Sequence, residues 1–467
     1  MCLWLCWWSL VLPLREAFTR ERTFLWFALA LAGACVRPDL AGVTSYLRGL
    51  GLKAGCYGPL LAMFHSAAVD VDKLASLWTE NVLARLDNQL LKIEGRIILL
   101  ADGIKIAKSG RKMPAVKRLH QESENNDKAE YIFGHSCQTV SLLAQAAAGF
   151  FSIPLCCRIH EGVIYDDTDK NRTQLDKLVR MALDIGINVP AMIVADAYYA
   201  SAKVILPLLS AGWHLVSSAR MNAVAYLPPP QRAKRKGRPR VYGDKIKLRD
   251  LFADEAKFLE ASSPIYGERD VTLRYHVVDL LWRPVAGTIR FVLVIHPTRG
   301  KKILLCTDVS LAPIDIIRIY GLRFKIEVSF KQARRIIGTY AYHFWMRQMR
   351  RMPKVSGDHD VRGETEAYRD AVRRKMRAYH MHIQLGVVAQ GILQVVGATQ
   401  PCNVWRLFGS WLRTVRPGVA PSEAVTSLAM RNSLPQFLAD APKSHILAKL
   451  MRRNIDLRRA EGLRLIS

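Results

Sequence analysis

The sequence predicts an α/β fold: a mixed sheet interrupted by a β-rich insertion and flanked by helical N- and C-terminal regions. Three observations predict it. Between residues 93 and 220, short apolar runs rich in β-branched residues give way to helical spacing and back again. Between 221 and 308, a Pro and basic run is followed by strand-like alternation alone. On either side, 1–92 and 351–467 read as helical.

The N-terminal region opens with two uncharged apolar runs, Met1 to Leu14 and Thr23 to Val36, of 14 residues each. That length suits a buried core helix better than a membrane span. No basic residue precedes the first run, as a secretory signal requires; the first charge is Arg15. Asp39 to Gly49 is spaced as a helix capped by Asp39. Gly49, Gly51 and Gly55 break it before a second helical stretch from Pro59. The pair reads equally as a helix-turn-helix that enters a DNA groove or as a plain helical hairpin.

The first domain segment, 93–220, starts with a strand at Arg96 to Ala107. Tyr131 to Leu143 and Phe151 to Ile159 read as two more, and Asn171 to Ile185 as a helix. Ala191 to Ala195 is a short buried strand leading into a helix from Tyr198. Trp213 to Ser218 is another strand. The insertion, 221–308, carries strand-like segments at Val241 to Leu248, Val271 to Trp282 and Thr288 to Ile295. The last pairs with Lys302 to Thr307 across Pro297-Thr298-Arg299-Gly300, a hairpin turn. A long helix from about Pro313 then returns the chain to the first domain over 309–350. A basic helical region, 351–467, completes the sequence.

Lys and Arg number 68 against 40 Asp and Glu, a formal charge of +28. Such an imbalance costs self-repulsion in the compact state and suits an anionic polymer, whose counterions basic side chains displace. The nine cysteines are scattered, with no C-x2-C pair. That argues against a structural zinc site and fits a reducing compartment.

Two aspartates stand out. Asp102 follows Ile97-Ile98-Leu99-Leu100-Ala101, and Asp196 follows Met192-Ile193-Val194-Ala195. A carboxylate at the end of a buried strand is costly unless a cation pairs with it. A bound metal satisfies that need, and so does a neighbouring Lys or Arg. The third acid, Glu327, lies on the helix from Pro313. There Ile319, Leu322, Ile326, Phe330, Ala333 and Ile337 form one apolar stripe. Tyr320, Arg323, Glu327 and Arg334 form a second, roughly 40–100° around the helix, at the border of its buried face. An Arg323–Glu327 pair of an ordinary amphipathic helix accounts for the same pattern.

The order Asp, Asp, then Y-x2-R-x3-E resembles the DDE transposases of bacterial insertion sequences. It is most similar to the subgroup with a Y-x2-R-x3-E-x6-K signature on the helix after a β insertion. Tyr320, Arg323 and Glu327 match that signature, and Arg334 replaces its final Lys with a planar fork of the same charge. The two Asp are 94 positions apart and Glu327 follows Asp196 by 131, leaving room for the insertion. The resemblance implies an RNase H-like catalytic domain. In it, Asp102, Asp196 and Glu327 would hold two Mg²⁺, for which Mn²⁺ can substitute. Hard, hydrated ions of this kind need only a few carboxylates.

It further implies double-stranded DNA as partner, both transposon terminal inverted repeats and target. A homodimer bridging two ends, no membrane association, and a cytoplasmic, nucleoid-associated bacterial setting are implied as well. An RNase H-like nuclease or resolvase without strand transfer, or a DNA-binding derivative that has lost catalysis, is the alternative. Tyr320 and Arg323 would contact phosphates near the scissile bond, joined by Lys331 and Arg334. Trp282 would either stack on a flipped base or fill a core. Lys105, Lys108, Arg111 and Lys112, in the basic stretch from Lys105 to Lys128, would either touch phosphates or stay solvated. Arg235, Lys236, Arg238 and Arg240, in the run Gln231 to Arg240, would either enter a narrow minor groove or add salt-dependent affinity only. Asp358-His359-Asp360 reads as solvated surface rather than a metal site.

Overall fold

The computed structural model describes residues 2–121, 129–147, 149–230, 240–411 and 413–456. Arg235, Lys236 and Arg238 of the basic run, and Lys128, lie outside the described residues. In chain order the principal helices of the first region are α1 (Leu3–Val11), α2 (Glu21–Val36), α3 (Thr44–Leu50), α4 (Tyr57–Phe64) and α5 (Val71–Leu86). Strands β1 (Arg96–Ala107), β2 (Lys117–His120), β3 (Tyr131–Ala146) and β4 (Gly149–Ile159) follow, then α6 (Gln174–Asp184). Next come β5 (Ala191–Val194), α7 (Ala202–Ser210), β6 (His214–Ala219), β7 (Thr272–Trp282), β8 (Gly287–His296) and β9 (Gly300–Cys306). The chain ends in α8 (Pro313–Gly321), α9 (Lys325–Gln332), α10 (Glu366–Thr399), α11 (Pro401–Phe408), α12 (Glu423–Asp440) and α13 (Ile446–Asn454).

Two compact units result. The smaller comprises Leu91–Asp102 and Asn188–Ile326; the larger comprises Met1–Leu90, Gly103–Ile187 and Glu327–Ser467. These limits differ from those read in the sequence. Residues 221–308 do not stand apart, because β9 pairs antiparallel with β6 from Ile303↔Ala219 to Cys306↔Val216.

The smaller unit is a mixed sheet. Its parallel part is β1–β5–β6, with Ile97↔Ala191 through Leu100↔Val194 and Met192↔His214 through Val194↔Val216. Both neighbours of β5 are parallel to it, so its four residues are all buried, as are Ile97–Ala101 of β1. Such pairing needs a crossover. Between β5 and β6 this is α7, which buries Val204, Ile205 and Leu208. Beyond β6 the sheet turns antiparallel through β9, β8 and β7. The expected hairpin is present. His296 pairs with Gly300, whose φ of 72° closes the turn, and the N–H groups of Thr298 and Arg299 both donate to His296 Nδ1 at 3.2 Å. The strand expected at Val241–Leu248 shrinks to Lys245–Lys247. Gly243 is folded so tightly under the preceding chain that a Cβ there would lie 2.4 Å from the Pro228 carbonyl oxygen.

The larger unit packs helices around α10 and the β3–β4 hairpin. Pairing runs from Cys137↔Ile159 to Ala146↔Gly149. Trp78 on α5 donates to the Pro154 carbonyl at 3.1 Å, and Trp4 on α1 donates to Met430 on α12 at 3.0 Å. Both apolar N-terminal runs are core helices: Trp4, Trp7, Phe27 and Leu31 are fully buried. Among the described residues one helix, α10, is long and apolar enough to cross a membrane, and its apolar window is entirely buried inside the protein. Asp39 caps no helix. It accepts from Arg48 and from the Ala41 N–H, and α3 starts five residues later. Five of the seven α3 residues are buried, and α3 and α4 both pack on α2.

The helix expected to run unbroken from Pro313 is interrupted. At Leu322–Phe324 the bonds tighten, with Lys325 N–H to Leu322 and Ile326 N–H to Arg323. A wide π-type turn, Ala333–Ile337, then ends at left-handed Gly338. The predicted apolar stripe nonetheless faces inward at all six positions.

Candidate nuclease active site

Asp102 and Asp196 are positioned by the parallel pairing of β1 and β5. Each follows the last register pair, Leu100↔Val194, by two residues, so both aspartates lie just beyond the paired stretch of adjacent parallel strands. Neighbouring strands lie about 4.8 Å apart. β1 runs on past Asp102, whereas β5 stops at Val194. Asp196 opens the short turn Ala197–Tyr199, its carboxylate accepting from Tyr198 N–H at 3.0 Å. Ser217 on β6 donates to the Asp196 carbonyl at 2.6 Å, and Ala195 N–H donates to Val216, which holds the strand end against β6.

Arg323 supplies the cation that a half-buried Asp102 requires. Its Nη1 lies 3.2 Å from Asp102 Oδ2, with the two side chains 22% and 18% exposed. Arg323, which the sequence suggested as the partner of Glu327, reaches Asp102 from the tightened turn at Leu322–Phe324. Glu327 is exposed, in the first turn of α9, one helical turn past Arg323, and it opens the last segment of the larger unit.

Tyr320 and Arg323 line a cavity of about 380 Å³ within the smaller unit, with Tyr266, His296, Lys302 and Phe324. Lys302 Nζ stands 5.1 Å over the Tyr320 ring, and Lys325 Nζ 4.0 Å over Tyr266. On its rim Glu268 accepts from Ser263, from His296 at 2.9 Å and from Arg299 at 2.7 Å. Burial pushes the Glu268 carboxyl up, but these donors outweigh it and leave its pKa below the usual range. The sequence analysis singled out none of Tyr266, Glu268, Lys302 or Lys325. Lys302 lies on β9, Tyr266 and Glu268 in the loop before β7 and Lys325 at the start of α9, and no pattern in the sequence shows that these segments meet.

Asp308 was also missed. This buried acid pairs with Arg96 at 2.8 Å. Burial raises its pKa, but Ser310 and Arg96 together hold it below the ordinary value. Arg96 opens β1, at the end remote from Asp102 along the strand, so the pair fastens the sheet.

The basic residues divide. Lys108 is a correction: it is 7% exposed, with Nζ donating to the Tyr340 and Tyr342 carbonyls and lying 3.6 Å over the Tyr342 ring. Burial lowers its pKa to about 8. It is a structural clamp, because the chain after β1 folds back beneath residues 340–342. Lys105 donates to the His120 carbonyl, Arg111 to Met352 and Lys112 to Arg347; Arg111 is exposed, and Lys105 and Lys112 are half-buried. Lys331 and Arg334 are exposed. Arg240 is exposed and turns back onto Gly243. Trp282 is the second correction: it is 8% exposed and packs edge-on to Phe291 at 6.5 Å, a core residue of the sheet with no face for a base. Asp360 is exposed and ion-paired with Arg362 and Asp358 pairs with Lys117, but Asp360 and half-buried His359 form a short strand parallel to Val163–Ile164 rather than a solvated loop.

Among the described residues, no group of three or more His, Cys, Asp or Glu side chains is gathered tightly enough to hold a metal ion. The donor types at Asp102 and Asp196 still fit a hard divalent cation. Both offer carboxylate oxygens, Asp102 from within β1 and Asp196 just past the end of β5, and the charge that one of them attracts is already present as Arg323.

The mixed α/β sheet, with aspartates beside one another on adjoining segments, is consistent with the catalytic domain of a DDE-type endonuclease. The DDE superfamily endonuclease family matches residues 13–277, more than half of the chain, and the chain belongs to that family. Members of this superfamily generally use divalent metal ions. No curated protein matches the chain.

Proposed function

We propose that the chain is a DNA transposase, cleaving at the ends of its own element and transferring the freed 3′ end into target DNA. The observation that carries this reading is that Asp102 and Asp196 each follow by two residues the last register pair of adjacent parallel strands, with Arg323 of the Y-x2-R-x3-E motif seated on Asp102. Asp102, Asp196 and Glu327 are the residues that would hold two Mg²⁺, or Mn²⁺ in their place. Metal ions so held supply an activated nucleophile and a stabilised leaving oxygen.

The chain's own groups do the rest. Tyr320 and Arg323 position the phosphate beside the carboxylates, the guanidinium exchanging Asp102 for a phosphate oxygen when DNA arrives. Exposed Lys331, Arg334 and Arg111 and half-buried Lys105 and Lys112 bind flanking phosphates, and Arg240 extends that surface. The partners are double-stranded terminal repeats and target DNA, with two copies of the chain pairing two ends in the bacterial cytoplasm.

An endonuclease or resolvase without strand transfer would use the same carboxylates. The discriminating experiment incubates the protein and end-bearing DNA with Mg²⁺ and a supercoiled plasmid. Covalent joining of end to plasmid supports transposition; nicking at the ends without joining supports the plain nuclease; binding without nicking supports a derivative that has lost catalysis.

A further inference from the structure

Residues 341–347 of the larger unit form an extended stretch outside any regular strand, and their burial alternates. Tyr342, Phe344 and Met346 point inward, at 1%, 8% and 3% exposure. Tyr342 stacks on Tyr379 of α10 at 4.8 Å, whose hydroxyl donates to the Phe344 carbonyl at 2.6 Å. His343, Trp345 and Arg347 are therefore left on the outside, and Trp345 is 65% exposed. Side chains two apart on an extended chain are spaced by about 6.6 Å.

This edge is held by a second basic segment. Met346 N–H donates to the Lys112 carbonyl at 2.9 Å and Lys112 Nζ to the Arg347 carbonyl at 3.1 Å. Arg111 and Met352 exchange two bonds of 2.8 Å. Neither 103–117 nor 339–357 contains a single Asp or Glu, yet they carry Arg111, Lys112, Arg347, Arg350, Arg351 and Lys354 on the surface. Gly110 makes room for the indole, since a Cβ there would sit 2.9 Å from Trp345 Nε1 and 2.7 Å from Met113 Sδ.

A single exposed aromatic needs no explanation. An indole seated over Gly110, with an imidazole and a guanidinium two residues to either side and on segments that carry cations and no acid, has the chemistry of a stacking platform for unpaired bases with their phosphates alongside. A duplex keeps its base faces covered and could use only the charges. We propose that Trp345, with His343, Arg347 and the adjoining Arg111, Lys112, Arg350 and Arg351, binds single-stranded DNA. Trp345 stacks on a base and the arginines and lysines hold the backbone. The proposal rests on DNA being the chain's partner.

The test measures binding of the full chain to a fluorescein-labelled 20-nucleotide single strand and to a duplex of the same length. No divalent ion is present, so cleavage does not enter the readout. Trp345→Ala should weaken single-strand binding roughly 5- to 150-fold and duplex binding less than about 2-fold. Trp345→Phe should restore most of the loss. Gly110→Ala, which pushes the indole from its seat, should lower single-strand affinity in the same direction. Arg347→Ala should reduce the slope of log affinity against log salt by about 0.7.

Equal losses for single strand and duplex, no loss in Trp345→Ala, or tighter binding of single-stranded RNA than DNA would each overturn the proposal. If ends are cleaved and joined while Trp345→Ala binds single strands normally, this inference fails and the transposase reading stands. If Trp345→Ala loses single-strand binding in a chain that never joins ends, the platform stands and the transposase reading fails.

Discussion

Arg323 has two claims on its guanidinium. In the structure it neutralises Asp102 at 3.2 Å; under the proposed function the same group would turn to a phosphate when DNA binds. A cation seated on a metal-ligating carboxylate competes with the metal. Arg323→Ala should therefore lower the Mg²⁺ concentration giving half-maximal cleavage, while cutting the rate at saturating Mg²⁺ by about 100-fold, as loss of one charge-stabilising donor does. A metal titration of end cleavage reads both. A variant that keeps the wild-type rate at saturation would remove Arg323 from the site. Some residue roles were legible in the sequence and others were not. Asp102 and Asp196 were visible because an acid ending a buried apolar run is rare and costly. Lys108 was not, since nothing in its own segment reveals that residues 340–342 close over it. Trp282 and Trp345 show the same limit: both sit in strand-like alternation, and only the packing decides which one is buried.

At the scale of elements, strands were read well where they are buried on both faces. Arg96–Ala107 matches the expectation at both ends, and Ala191–Val194 falls one residue short. Their continuous apolar runs leave little choice of boundary. The helix from Pro313 was misread as continuous because its apolar stripe, Ile319, Leu322 and Ile326, keeps helical spacing straight through the break. Periodicity reports which face is buried, not whether each hydrogen bond is of the α type.

The π-type turn after α9 puts Thr339 against α10, and Gly386 is what admits it. A Cβ at Gly386 would lie 2.6 Å from Thr339 Oγ1 and 2.7 Å from its Cα. Overpacking of this kind costs about 1–3 kcal/mol. Gly386→Ala should lower the urea midpoint accordingly, and a variant as stable as the wild type would show that the contact yields freely.

At the scale of the molecule, the larger unit buries an unusual number of imidazoles. His135, His160, His380 and His382 are each pushed down to about 3, by burial first and nearby cations such as Lys108 or Arg158 second. The folded state keeps them neutral, whereas the unfolded chain protonates them near its ordinary value of about 6.5. Unfolding thus takes up protons between those two values, and stability is complete above about 6.5 and lost as pH falls toward 3. Buried Glu423, whose pKa is raised by burial, works in the opposite direction but is one group against four. Thermal melts from pH 7.5 to 4.5 should show a steep fall in Tm below about pH 6.5. A Tm flat across that range would mean that the histidines are not buried neutral. The excess of +28 charges has its counterpart at this scale too, in basic segments that carry no acid, such as 339–357.

The central claim is that Asp102, Asp196 and Glu327 act together on one phosphodiester. Single-turnover nicking of labelled end DNA in Mg²⁺ tests it most directly, with Asp102→Asn, Asp196→Asn and Glu327→Gln each pre-bound to the DNA. The account predicts that all three bind ends as the wild type does and that none nicks above background. Nicking at the wild-type rate by any one of them would contradict it.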